Sequence, residues 1–239
     1  LYLTGITDDL IGVRYRQKFV IQILCACFFS IAELWINDLY GLLGIYAIPN
    51  WIGIPFTILT IVFITNAINL IDGIDGLASG LSSVALLVFG LLFIEKGLWM
   101  YSMLAFSTLG VLVPFFYYNV FGNAERARKI FMGDTGSLTL GYILSFLAIK
   151  YSQNNPEVIS NTKGTFLIAF STLIIPAFDV IRVVMVRLRN GKSPFEPDKN
   201  HIHHKFLAMG FTPRKAMIII ILISCAFSAV NILLIPWVN

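Results

Sequence analysis

The sequence predicts an all-α, polytopic integral membrane protein, and three observations carry that reading. Of its 239 residues, 57% are hydrophobic and 13% charged, against about a quarter charged in a soluble domain; mean hydropathy is +0.81. The apolar residues gather into runs of roughly 17–22, the length a helix needs to cross about 30 Å of hydrocarbon. Within those runs they do not alternate over about ten residues, which excludes the strands of a transmembrane barrel. Backbone groups in hydrocarbon must be satisfied within their own segment, so each run reads as a helix.

Seven spans are predicted, at about 19–36, 51–68, 77–94, 98–118, 138–150, 164–185 and 216–237. The fifth is short and is expected to begin nearer Gly133. One domain over 1–239 is expected, a membrane bundle with no internal repeat and no low-complexity tract. The chain opens on Leu1 and reaches Asp8-Asp9 with no basic-then-apolar leader pattern, so an N-terminal portion is expected to precede it. Cys25, Cys27 and Cys225 lie inside apolar runs and read as buried free thiols rather than a disulfide framework.

Alternating the seven spans across a bilayer puts 1–18, 69–76, 119–137 and 186–215 on one side. Counting span ends, that side holds fourteen of the seventeen Lys and Arg residues, leaving Lys96, Lys150 and Lys163 opposite. Cytoplasmic loops carry the Lys/Arg excess, so the basic side is predicted to be cytoplasmic. The net charge of +4 then reads as a surface for anionic headgroups or a phosphorylated substrate. Every stretch rich in acids, histidines and glycines falls on this same side, which points to one site.

Four motifs make up that site. Asp8-Asp9, followed by Arg14, Arg16 and Lys18, is either a solvated or capping pair, or carboxylates for a metal beside cations for its phosphate. In NLIDGIDGLA at 69–78, Asn69, Asp72 and Asp75 offer an amide and two carboxylates at the edge of apolar runs. A helix would place Asp72 and Asp75 on one face, and the glycines equally allow a break. Acids at a membrane edge are costly unless they bind something or pair between helices. An oxygen-only donor set suits Mg²⁺ or Mn²⁺ rather than zinc, and calcium-loop spacing is absent.

In FMGDTGS at 131–137, glycines precede a helix whose free N–H groups and positive dipole end suit a phosphate. Asp134 is there a ligand or a helix cap; no Walker lysine is present. The stretch 194–205 holds all three histidines, His201, His203 and His204, with Asp198. Phosphate and substrate contact is favoured there over a zinc site, which lacks its usual partners, and over a solvated loop.

With these motifs in order, the chain resembles the polyprenyl-phosphate N-acetylhexosamine-1-phosphate transferases, a superfamily that includes the phospho-MurNAc-pentapeptide translocases. The likeness covers essentially the whole chain, and P-x-x-D-x-x-H-I-H-H is similar to the WecA/TagO-like branch rather than the triple-histidine one. It implies transfer of a sugar-1-phosphate, with GlcNAc-1-phosphate favoured, from a UDP-sugar to undecaprenyl or another polyprenyl phosphate. UMP is released and a lipid-linked cell-envelope glycan is started.

The resemblance implies roles for particular residues. Asp8 and Asp9 match an aspartate pair that deprotonates or orients the lipid phosphate. Asp134 matches a Mg²⁺-binding aspartate, with Asp72 or Asp75 assisting. Asn69, Asp72 and Asp75 match the acidic motif near nucleotide and metal, while Asp198, His201, His203 and His204 match the histidine motif. Asn119 resembles a family asparagine at a longer spacing, and Asp179 with Arg182 a further cytoplasm-proximal pair. Arg16, Lys18 and the histidines are expected to balance phosphate charge. The family has about ten membrane helices, so about seven here fits a truncated N-terminus.

The expected setting is the bacterial inner membrane with the site on its cytoplasmic face. The expected partners are the two substrates and the bilayer, with no nucleic acid; a homodimer is compatible with a membrane enzyme of this size. The competing class is a secondary transporter using intramembrane acids, although transporter sites lie near the midplane and between repeated halves.

Overall fold

The computed structural model describes residues 1–155, 164–193 and 200–234. Among these residues the secondary structure is helical, in ten α-helices, apart from a short 3₁₀ turn and an isolated bridge between Asp38 and Ala47. The first two are α1 (Tyr2–Ile11) and α2 (Tyr15–Ile31), followed by α3 (Asn50–Ile71), α4 (Leu77–Glu95), α5 (Trp99–Phe121) and α6 (Gly133–Ser152). Then come α7 (Thr165–Ser171), α8 (Ile174–Arg189), α9 (Ile202–Ala208) and α10 (Pro213–Leu234).

Helices stand at all seven predicted places, but they are not seven equal crossings. Among the described residues, α3, α4, α5 and α10 are each long and apolar enough to cross a membrane. The predicted sixth span is two helices, α7 and α8, bent by 77°, and together they make a fifth candidate. The break has a local cause: Pro176 lacks the N–H that a continuous helix would donate to the Thr172 carbonyl. The first span was expected to reach residue 36, yet α2 ends at Ile31 after 17 residues. Leu34 and Ile36 instead fold back into the core, where the Ile36 N–H donates to Thr57 Oγ1 at 2.8 Å.

As expected, α6 begins at Gly133, and it is rich in hydroxyls. Ser137, Thr139 and Ser145 each bond the carbonyl one turn back, so none needs water. Glycines set the closest helix approaches. Gly141 of α6 lies against the Thr65 backbone of α3, and Gly5 of α1 against the Thr135 backbone of α6; a Cβ at either would collide.

Phe89 and Phe93 of α4 pack with Leu144, Leu147 and Ala148 of α6 in the main core. A second cluster, with Ile71, Leu77, Leu81, Val120 and Met217, lies beneath the motif-bearing loops. At the other end, Asn37 and Asn154 exchange two bonds of 2.8 Å and Gln153 donates to the Glu33 carbonyl at 2.7 Å. Met103, Val111, Leu222 and Leu233 stay exposed, as suits helix faces turned to lipid rather than water.

Candidate active site

The close approach of α1 to α6 at Gly5 lays the end of α1 across the start of α6. There the Asp9 carboxylate accepts the N–H groups of Asp134 at 2.8 Å and Thr135 at 3.0 Å, and the Thr135 hydroxyl at 2.6 Å. Gly133 makes room: its φ is +61°, and a Cβ would run into the Asp9 carboxylate. The expectation that the first N–H groups of this helix await a phosphate is therefore corrected. Two of them already serve Asp9, which caps the helix in place of its own preceding residue. Asp134 is not the cap either; it lies in the first turn and faces other partners.

Those partners are Lys18 and Asn69. Lys18 Nζ bridges Asp8 and Asp134, joining the ends of α1 and α6 through one ammonium. Asn69 Nδ2 donates to Asp134 Oδ1 at 2.7 Å and to Ser137 Oγ at 2.8 Å. Burial works to raise the pKa of Asp9, but the bonds from Thr135 and Asp134 outweigh it and hold the group below its ordinary value. Asp8 is lowered too: burial opposes, while Asp134, Lys18 and the Val13 N–H prevail.

The turn between α3 and α4 carries the other two acids. Asp75 pairs with Lys129 at 2.6 Å, a partner that the motif alone did not reveal. Asp72 accepts no hydrogen bond from a described residue. Burial, then the charges of Asp75 and Asp134, push its pKa up to about 6. Among the described residues no three His, Cys, Asp or Glu side chains stand together as a metal-holding group. Asp72 is thus a carboxylate under repulsion, beside two others that lysines already neutralise.

Gly73, next to Asp72, lies against the His203 ring; a Cβ there would strike the imidazole. His203 is only 2% exposed and its Nδ1 has no partner among the described residues. Burial first, then the neighbouring His204 and His201, lower its pKa to about 4. This corrects one expectation: a neutral imidazole at physiological pH supplies no positive charge to a phosphate. His204 packs against it at 4.2 Å between ring centroids. His201 turns away to α8, where its Nδ1 lies 2.8 Å from Asp179 Oδ2.

Two predicted contact residues act differently from expectation. Asn119 is buried with both ends of its amide engaged, Oδ1 accepting the Gly76 N–H at 2.6 Å and Nδ2 donating to the Ile130 carbonyl at 2.8 Å. It ties the acidic turn to the loop before α6, with its carbonyl oxygen and one of its two amide hydrogens committed to backbone groups. Arg16 points outward, its Nε on the Tyr15 hydroxyl at 3.2 Å, and does not join the Lys18 cluster. Asp198 lies outside the described residues.

Asp8, Asp9, Lys18, Asn69, Asp72, Asp75 and Asp134 therefore meet at one end of an apolar helical bundle, with the histidine segment docked beside them. Fold and site together define a multi-pass membrane protein with a polar, carboxylate-rich centre at one end. The sequence profile of glycosyl transferase family 4 matches residues 1–152, and the chain belongs to that family.

The chain is also similar to three bacterial proteins. It is 30% identical to an undecaprenyl-phosphate alpha-N-acetylglucosaminyl 1-phosphate transferase of Yersinia pestis, over 98% of this chain and 63% of that protein. It is 34% identical, over the same shares, to a probable undecaprenyl-phosphate N-acetylglucosaminyl 1-phosphate transferase of Bacillus subtilis strain 168. The Escherichia coli K12 protein with the same name as that of Yersinia is 29% identical, over 98% of this chain and 62% of its own length. The chain thus spans a little under two thirds of the length of these relatives.

Proposed function

We propose that this protein transfers N-acetylglucosamine-1-phosphate from UDP-GlcNAc to undecaprenyl phosphate, releasing UMP and starting a lipid-linked cell-envelope glycan. The observation that carries the reading is the meeting of Asp8, Asp9, Lys18, Asn69 and Asp134 on the first turn of α6, in a chain similar to transferases so named. An oxygen of the lipid phosphate attacks the phosphorus bonded to the sugar. The bond from that phosphorus to the bridging oxygen breaks, and UMP leaves with the electron pair.

A phosphate monoester is already partly ionised near neutral pH, so the acceptor needs placing more than deprotonating. The lowered pKa values of Asp8 and Asp9 agree, since a general base works best with a pKa near the operating pH. Asp9 holds the α6 turn in place, and Lys18 sets the distance between α1 and Asp134.

Mg²⁺ is the proposed cofactor, with Mn²⁺ as its substitute, held by Asp72 with Asp134 or Asp75. The donors fit: Asp72 is an unsatisfied carboxylate whose repulsion a cation would relieve. Mg²⁺ is usually bound by one or two carboxylates plus substrate phosphates, without an all-protein cage. When bound, the ion offsets charge on the donor phosphates and on departing UMP.

The Lys/Arg excess at the motif end and the bacterial relatives support a site on the cytoplasmic face of the inner membrane. A homodimer belongs to the same proposal and is read from the mass of the detergent-solubilised protein. The deciding assay is UMP release from a panel of UDP-sugars, with and without undecaprenyl phosphate and Mg²⁺. Release that requires lipid, metal and UDP-GlcNAc is expected. Folded protein that releases no UMP but moves ions across proteoliposomes would replace this reading with a transporter.

A further inference from the structure

Asp179 belongs to none of the four motifs, yet it is among the most enclosed acids of the chain, at 1% exposure in the middle of α8. Two of its three hydrogen bonds reach the segment that enters α9, and the third goes to Arg182 on its own helix. Its Oδ1 accepts the Ile202 N–H at 2.8 Å and Arg182 Nη2 at 2.9 Å, while its Oδ2 lies 2.8 Å from His201 Nδ1. Arg182 also donates to the Asn200 carbonyl. Residues 200–202 are thus clamped to α8 through one carboxylate and one guanidinium.

The carboxylate also decides where the His201 proton sits. An ionised carboxylate only accepts hydrogen bonds, and Arg182 balances its charge. The Nδ1 of His201 must therefore be the donor, which leaves a lone pair on Nε2. That nitrogen has no partner among the described residues, while the ring stacks on His203, with centroids 5.9 Å apart and planes within 5°. His203 in turn rests on Gly73, beside Asp72. A carboxylate behind an imidazole fixes its tautomer and orientation and stabilises the charged form if a proton arrives.

We propose that Asp179 is a positioning residue for the transfer reaction: it holds His201 as the Nδ1–H tautomer, with Nε2 presented as an acceptor, and seats His203 against the acidic turn. The turnover part of this proposal rests on the transferase reading; the tautomer part does not.

The test pairs two measurements on the full chain in detergent. With only three histidines, ¹⁵N-histidine NMR can be assigned by comparison with His201→Gln, and it reads the His201 tautomer directly. An unprotonated Nε2 in the native protein is expected, and Asp179→Asn, whose amide can donate, should shift that signal towards the Nε2–H form. In the UMP assay, Asp179→Asn should lower kcat by about 10–100-fold with KM for the UDP-sugar unchanged and a native-like melting profile.

A native His201 protonated on Nε2 would overturn the proposal, as would an Asp179→Asn protein with native kcat. If Asp179→Asn fails to fold, the native tautomer still decides. If native protein releases no UMP, the transferase reading fails by itself, and the NMR result stands or falls separately.

Discussion

The Asp9 carboxylate closes the first turn of α6 from another helix, taking the Asp134 N–H at 2.8 Å together with the N–H of Thr135. An acid at a helix N-terminus satisfies orphan donors and complements the dipole. Asp9→Ala removes both effects and should cost about 1–2 kcal/mol, read as a lower melting temperature in detergent, with turnover falling because Asp134 loses its setting. Asp9→Asn should lose less, since its carbonyl still accepts. The cap is strongest above the ordinary carboxylate pKa and is lost as pH falls through the lowered value of Asp9. Equal melting of Asp9→Ala and native protein would remove the capping role.

Asp134 tests the metal. It is held by Lys18 and by Asn69, so Asp134→Asn keeps its shape and loses its charge. Turnover should fall steeply, and added Mg²⁺ should not restore it. Near-normal rates at saturating Mg²⁺ would show that Asp134 is not a ligand. Lys18→Met should lower activity as well, because it leaves Asp8 and Asp134 facing each other unbalanced.

Asp72 and His203 pull the pH profile of stability in opposite directions. Asp72 rises to about 6 on folding, so the folded state holds its proton more tightly than the unfolded chain. Stability from this group therefore falls as pH climbs from near 4 through 6. His203 drops to about 4, so its contribution is lost as pH falls below about 6.5. Asp72→Asn should stabilise the protein above pH 6 by on the order of 2 kcal/mol, read as a higher melting temperature, while turnover is lost. Mg²⁺ titration should stabilise native protein and leave Asp72→Asn unmoved. Identical melting of both proteins at pH 5 and pH 8 would show that Asp72 is not strained.

Much of this was legible in the sequence because membrane helices and ionisable clusters leave strong local signals. The seven apolar runs found their helices, and Asp8, Asp9, Asn69, Asp72, Asp75 and Asp134 are gathered as the motif order implied. What local patterns could not show depends on contacts between distant elements. The capping of α6 by Asp9 requires Gly5 to admit the Thr135 backbone, which no spacing rule encodes. The neutral state of His203 follows from its burial, whereas its basic-looking loop suggested charge. Asn119 looked like a contact residue, although its amide is used on two backbone groups from separate segments. The bend before α8 was readable from Pro176 but was hidden by the apolar composition around it.

Gly73 gives the sharpest steric test of how the histidine segment serves the site. No positive φ is found there, so alanine is conformationally tolerated, and any effect must come from its methyl group. That methyl would enter the His203 ring, which stacks on His201, packs against His204 and is almost fully buried. The ring cannot yield without shifting α9 or the turn that carries Asp72 and Asp75. Misplacement on the scale of 1 Å can cost about 100-fold in rate, and Gly73→Ala should lose about that much in kcat/KM while remaining folded. Gly110 on α5 is the control, since open space surrounds its Cβ position, and Gly110→Ala should leave turnover unchanged. Native turnover in Gly73→Ala would mean that the packing of His203 on the acidic turn is not needed for chemistry.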